Sequence, residues 1–266
     1  VIKGDFDAAP VKLAGAVFTT QDLGASIFEA RKSGRDVASL KRELGALKAI
    51  LEAKAPSLKA DLSAIEKDLE KPDPDPAALA ALRQRAGALN AKAALAVHGG
   101  KKIILHAGWG WKDFGVFDIP PANSATPALA IVMGRGEWES ASFALFNAGD
   151  TEVPVTLSIS DLVGKASSIV QKDLALRFGE WVEGNDMLSR PDALPLAEGP
   201  VPVLPGTSRS FWVVVKSDAA HAGDYAGTVT LVAGKETFQI PIAVTVMPVS
   251  LPRPIPVATY NWAYLV

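Results

Sequence analysis

The chain has 266 residues, room for one large domain or two of ordinary size, and its 48% hydrophobic content can fill a real core. Its 27 basic and 29 acidic residues leave a net charge of −2, which gives no electrostatic case for nucleic acid or an anionic membrane as partner. There is no cysteine, so disulfides, thiolate metal sites and cysteine nucleophiles are excluded, and no apolar run is long enough to predict a membrane span.

Residues 1–20 open Val1-Ile2-Lys3 without Met and carry short β-prone pieces around Val11–Leu13 and Ala16–Thr20. They read as a short β segment or the tail of a preceding domain, in a processed or excised chain. Residues 21–100 are assigned to a helical hairpin. Val37, Leu40, Leu44, Leu47 and Leu51 alternate spacings of three and four, a heptad-like stripe with charged residues on the other faces. Leu58, Leu62, Ile65 and Leu69 extend the stripe, with a kink or restart expected at Pro56. Pro72, Pro74 and Pro76 then stop any helix, and Pro76 behind an N-capping Asp75 starts a new one over Ala77–Val97, ended by Gly99-Gly100. Two such helices should pack antiparallel, coiled-coil-like. The hairpin could be a spacer, a docking arm or an oligomer contact, or it could pack on its own sandwich.

From Lys101 the apolar period becomes two, and residues 101–250 read as an antiparallel β-sandwich. Candidate strands are Lys102–His106, Ala128–Met133, Glu137–Phe146, Val153–Ser160, Ser168–Phe178, Ser210–Lys216, Ala226–Val232 and Thr237–Met247. The fold class is therefore mainly β with an α-helical hairpin ahead of the sandwich. Pro248–Pro254 looks like a stiff linker, and the apolar residues 255–266 look like the first strand of another domain.

Few residues point to chemistry. Glu137 and Glu139 flank Trp138, and on one strand face their carboxylates would lie about 7 Å apart, a separation known from glycosidases. Catalytic pairs normally converge from different elements, so strand-face salt bridges are the expected role. His221 sits among turn formers with no third ligand in view, which makes it a loop residue rather than a metal ligand. His98 and His106 receive no role. Trp109 and Trp111, alternating among glycines, could offer flat faces to sugar rings, though a domain-interface role suits them too. Trp138, Trp181 and Trp212 are assigned to the core. No nucleophile elbow, phosphate loop, metal set or cofactor motif is present in the sequence.

Three segments together carry a family likeness: Gly134–Asn147 (GRGEWESASFALFN), Ser210–Val215 continuing through Asp218-Ala219 to Ala222–Val229, and Leu251-Pro252 before a new apolar strand. The arrangement resembles the N-terminal sandwich of large bacterial glycoside hydrolases such as the family 123 β-N-acetylgalactosaminidases, over about residues 128–265. The helical hairpin is not part of that pattern. The resemblance implies a (β/α)8 barrel after the sandwich, with 251–266 as linker and truncated first strand. It implies an extracellular or periplasmic location, and a catalytic Asp-Glu pair beyond residue 266, so that no catalytic residue is expected here. Tyr260, Asn261 and Trp262 would then approach a sugar site, because barrel active sites gather at the C-terminal ends of strands. The expected role is a non-catalytic accessory segment whose partner is the catalytic domain of the same polypeptide. The alternative is a non-enzymatic module for carbohydrate binding or surface assembly.

Overall fold

In the computed structural model the described residues are 11–13, 16–18, 37–42, 44–45, 47–53, 55–71, 75–108, 110, 115–183, 189–218 and 220–250. The chain is mainly β, with helices ahead of a two-sheet sandwich. Strands β1 (Val11–Leu13) and β2 (Ala16–Phe18) pair antiparallel as a separate ribbon.

The helical region carries one more reversal than the spacing predicts. Residues 37–53, apart from 43 and 46, are helical (α1). A 3-10 turn, Pro56–Leu58, then leads into α2 (Lys59–Leu69). Were α1 and α2 collinear, Lys48 and Glu66 would lie about 27 Å apart at 1.5 Å per residue. Their side chains instead meet at 3.4 Å, so the chain folds back at Pro56. A second reversal precedes α3 (Pro76–Val97), where the Asp75 side chain accepts from the Ala78 N–H at 2.7 Å. Asp68 of α2 bonds Arg85 of α3 and Lys71, and these partners, Arg85 first, hold its carboxyl down at about 2. One apolar cluster unites Leu40, Leu44, Leu47 and Leu51 of α1 with Leu62, Ile65 and Leu69 of α2 and Leu79, Leu82 and Leu89 of α3. The heptad stripe is thus spent within the helical unit. Gly99 and Gly100 end α3 with φ of 60° and 85°, and the Gly100 N–H reaches back to the Leu95 carbonyl.

The first sheet orders β3 (Ile103–Ala107), β5 (Trp138–Asn147), β13 (Ser208–Lys216) and β9 (Leu174–Phe178), all antiparallel. The second sheet runs β12 (Val201–Val203), β6 (Val153–Ile159), β14 (Gly223–Ala233), β15 (Glu236–Ser250) and β4 (Leu129–Arg135). The short strand β7 (Leu162–Gly164) pairs with β14 and β8 (Ser168–Ile169) pairs with β7, and among the described strands of this sheet only β4 lies parallel to its neighbour, β15. A ribbon of β10 (Glu180–Glu183) and β11 (Ser189–Ala193) stands apart. Between the sheets, Phe143, Leu145, Phe211, Val213, Val229, Leu231, Ile240 and Ile242 are buried. Burying one such side chain contributes about 1.5–3 kcal/mol. The stretch Ser168–Phe178 is broken by a 3-10 turn, Gln171–Asp173. Conversely, β15 runs through Pro248 to Ser250 where the sequence suggests a linker. Its register against β4 shifts between Val246 and Ser250, and such an irregularity accommodates a residue without an N–H.

Helices and sandwich are joined at a polar seam. Asn90 of α3 is fully buried, and its Nδ2 donates to the Phe117 carbonyl at 2.8 Å and the Gly206 carbonyl at 2.7 Å. The Gly206 N–H donates to the Asn147 carbonyl at 2.7 Å. Asn147, also fully buried, bonds the Val203 and Thr151 carbonyls and the Gly149 N–H. The backbones approach so closely here that a Cβ on Gly87 would lie 2.5 Å from the Pro205 carbonyl oxygen. Beside the seam Ala94, Ile104, Phe146 and Ala148 form a small apolar cluster of their own. The hairpin packs on its own sandwich.

Candidate functional site

The face of the first sheet turned away from the sandwich core carries Trp138 of β5 and Trp212 of β13. On β5, residues 138, 140, 142, 144 and 146 share that face by the strand period of two. Over its middle lies the segment that follows β3. The Ser142 hydroxyl donates to the Gly108 carbonyl and accepts from the Gly110 N–H, both at 2.9 Å. Gly110 sits on the buried Trp212 ring so closely that a Cβ would fall 2.2 Å from it. Trp109 and Trp111, the leading candidates for sugar contact, lie outside the described residues, as do Tyr260, Asn261 and Trp262. Their flanking glycines are nonetheless anchored to this face.

Farther along β5 the structure corrects one assignment. Trp138 is 58% exposed, not core. Its register partner is Lys216, whose Nζ lies 5.2 Å from the centre of the Trp138 ring and 2.9 Å from an Asp218 carboxylate oxygen. The strand begins directly after a locked turn. The Gly134 N–H donates to Glu137 Oε2 at 2.6 Å, Gly136 takes φ of 79°, and the buried Ser217 hydroxyl donates to the Gly134 carbonyl at 2.6 Å. This turn carries the chain from β4 in one sheet to β5 in the other, so Trp138 emerges rigidly at the sandwich margin. Between Trp138 and the Gly108 crossing, a slot of about 330 Å³ opens over Ser140, Ala141 and Ser142. Its walls are Ala107 and Gly108 on one side and Ala128–Ala130 on the other. Small side chains line the slot, the Ser142 hydroxyl is taken up by Gly108 and Gly110, and the exposed Trp138 indole, a flat face of the kind that stacks on sugar rings, stands two residues along β5 from Ser140.

The acidic pair does not converge. Glu137 precedes the strand and its carboxylate is committed to the Gly134 N–H, while Glu139 lies within β5 opposite Val215. His221 is exposed in a turn, its carbonyl accepting from the Tyr225 hydroxyl at 2.7 Å. Trp181 is half-buried and Trp212 buried. His106 of β3 is 6% exposed, and burial, with a smaller contribution from His98, pushes its pKa down to about 4. Among the described residues no group of three or more His, Asp or Glu side chains could hold a metal ion. No described helix is long and apolar enough to cross a membrane. Sequence reasoning missed Trp138 as a surface residue. The signal was its place at the first strand position after Gly136-Glu137, in period with Ser140 and Ser142.

No family model and no curated protein matches the chain. Among solved structures it is similar to a family 123 glycoside hydrolase from Clostridium perfringens, described in terms of glycolipid glycan hydrolysis. The two are 16% identical over 57% of this chain and 28% of that one, with a TM-score of 0.49. It is also similar to the CooA pilin subunit of enterotoxigenic Escherichia coli, at 14% identity over 56% of this chain and 99% of that one, TM-score 0.34. A third likeness is to the CsuC–CsuE chaperone–tip adhesion subunit complex of Acinetobacter baumannii, at 10% identity over 48% and 55% of the chains, TM-score 0.31. The chain spans little more than a quarter of the hydrolase's length. These likenesses are distant and assign neither a family nor an activity.

Proposed function

We propose that the chain is a non-catalytic accessory segment of an exported bacterial glycoside hydrolase, supporting a C-terminal catalytic barrel that acts on a glycan. The observation that carries this reading is an apolar patch at the exit of the sandwich. Met247 and Val249, at 41% and 58% exposure, close β15, and Val132 of the neighbouring β4 is 62% exposed. Each Å² of apolar surface left in water costs about 25 cal/mol, so a following domain seated here would gain by covering it. The seam around Asn90 makes the support stiff, because helices and sandwich present one packed body to whatever follows. The motif resemblance over Gly134–Asn147 and Ser210–Val229 points to the same context.

The reading is tested in the gene product extended beyond Val266. Val132→Glu combined with Val249→Glu should lower the melting temperature and activity of the extended protein while leaving the thermal unfolding of the 1–266 chain unchanged. An extended protein indifferent to both substitutions contradicts it.

A second reading, a carbohydrate-binding module, is favoured by exposed Trp138 beside the serine-lined slot. It expects Trp138→Ala to abolish binding of uncharged glycans by the isolated chain without altering its stability, checked by calorimetric titration. Binding of uncharged glycans that survives the substitution contradicts it.

A further inference from the structure

A separate concavity lies on the helix–sandwich junction. The end of α3, the start of β3, the 122–126 segment and the first residues of β15 enclose an open groove of about 650 Å³, within the range of small-molecule sites. We infer that this groove binds an acidic oligosaccharide, one carrying carboxylate or sulfate groups on its rings. The inference rests on the groove alone and holds whether or not a catalytic barrel follows.

Its floor is the apolar start of β3, and the half-buried Phe238 of β15 adds an aromatic surface suited to the C–H face of a ring. The rim is polar and unequal in charge. Lys101 and Lys102, both exposed, oppose a single carboxylate, Glu236. Lys102 meets Asp150 only at 3.8 Å, with the two side chains 63% and 87% exposed, and a solvated pair of that kind contributes little and yields readily to a ligand anion. Thr126 supplies a hydroxyl, Ser124 keeps lone pairs free after donating to the Pro121 carbonyl, and Glu236 can accept from sugar hydroxyls. Within the lining Lys101 and the weakly paired Lys102 face one carboxylate, Glu236, with Asp150 outside it, which favours an anionic ligand, while the hydroxyl and aromatic elements favour a sugar over a bare anion.

The groove is also preformed. On one wall α3 is closed by its glycine cap, and the His98 ring Nε2 donates to the Pro120 carbonyl at 2.9 Å, tying the helix end to the strand connection. On the opposite wall Gly234, at φ of 60°, makes the tight turn between β14 and β15 that presents Glu236. A site held by rigid elements loses little freedom on binding.

The test is calorimetric titration of the whole chain with chondroitin sulfate and polygalacturonate oligosaccharides, with uncharged galactan oligosaccharides and a short DNA strand as comparators. The acidic sugars should bind, and more weakly as ionic strength rises from about 0.02 to 0.2 M. Lys101→Glu with Lys102→Glu should weaken them at least about tenfold. Thr126→Ala should weaken them less, and both variants should melt like the parent. Trp138→Ala should leave this binding unchanged, which separates it from the serine-lined slot. Failure to bind acidic sugars, equal binding of galactan or DNA, or full affinity in the double-lysine variant would overturn the inference.

Discussion

Acid should loosen this protein through His106. The imidazole is kept neutral in the fold, with its pKa near 4, whereas in the unfolded chain it takes up a proton near 6.5. Between those values the unfolded state binds more protons, so stability is full above about pH 6.5, falls as pH drops toward 4, and loses nothing further to this group below that. Urea unfolding at pH 7.5 and 4.5 should differ by about 2–3 kcal/mol more in the parent than in a His106→Gln variant. Equal pH slopes in the two proteins would contradict the account. Neither this burial nor the exposure of Trp138 is legible from residue type. Histidine and tryptophan each occupy core and surface, and the choice is made by long-range placement. His106 is buried on the face of β3 that it shares by period with Ile104, which clusters with Ala94 of α3. Trp138 is uncovered because β5 starts at the sandwich margin, where the locked turn of Gly134–Glu137 crosses between sheets.

At the scale of elements, the seam between α3 and the 205–206 turn should carry much of the coupling between helices and sandwich. Asn90→Ala would leave the Phe117 and Gly206 carbonyls without their donor and cost about 2–4 kcal/mol. Gly206→Ala should cost a similar amount, since its Cβ would lie 1.9 Å from the Gly87 carbonyl oxygen at a φ of 67°. Both are checked by chemical denaturation, and changes under about 0.5 kcal/mol, the size of an ordinary surface substitution, would refute the seam. The longer elements were legible because local chemistry and period agree: the Asp75-Pro76 start and Gly99 stop of α3, and the alternation along β14 and β15. Strands β10, β11 and β12 were not. They are short, carry Pro191 and Pro202, and exist through pairing to distant partners rather than through their own pattern. The fold-back at Pro56 was half legible. Proline announces a break, but only the apolar faces of α1 and α2 closing on each other turn a kink into a reversal.

For the molecule as a whole, the sequence supports a mainly β chain with helices ahead of a sandwich, and the structure has that architecture. The candidate sugar-contact tryptophans, Trp109 and Trp111, lie outside the described residues, and the structure adds Trp138 as an exposed tryptophan. The central proposal is that this body is a non-catalytic support for a following domain, a reading favoured by Glu137 locking a turn and Glu139 lying opposite a valine. The most direct measurement is release of chromophore from aryl β-N-acetylgalactosaminides by the purified 1–266 chain, with Glu137→Gln and Glu139→Gln variants alongside. The account expects no release above the buffer blank from any of the three. Turnover by the parent that either substitution abolishes would contradict it.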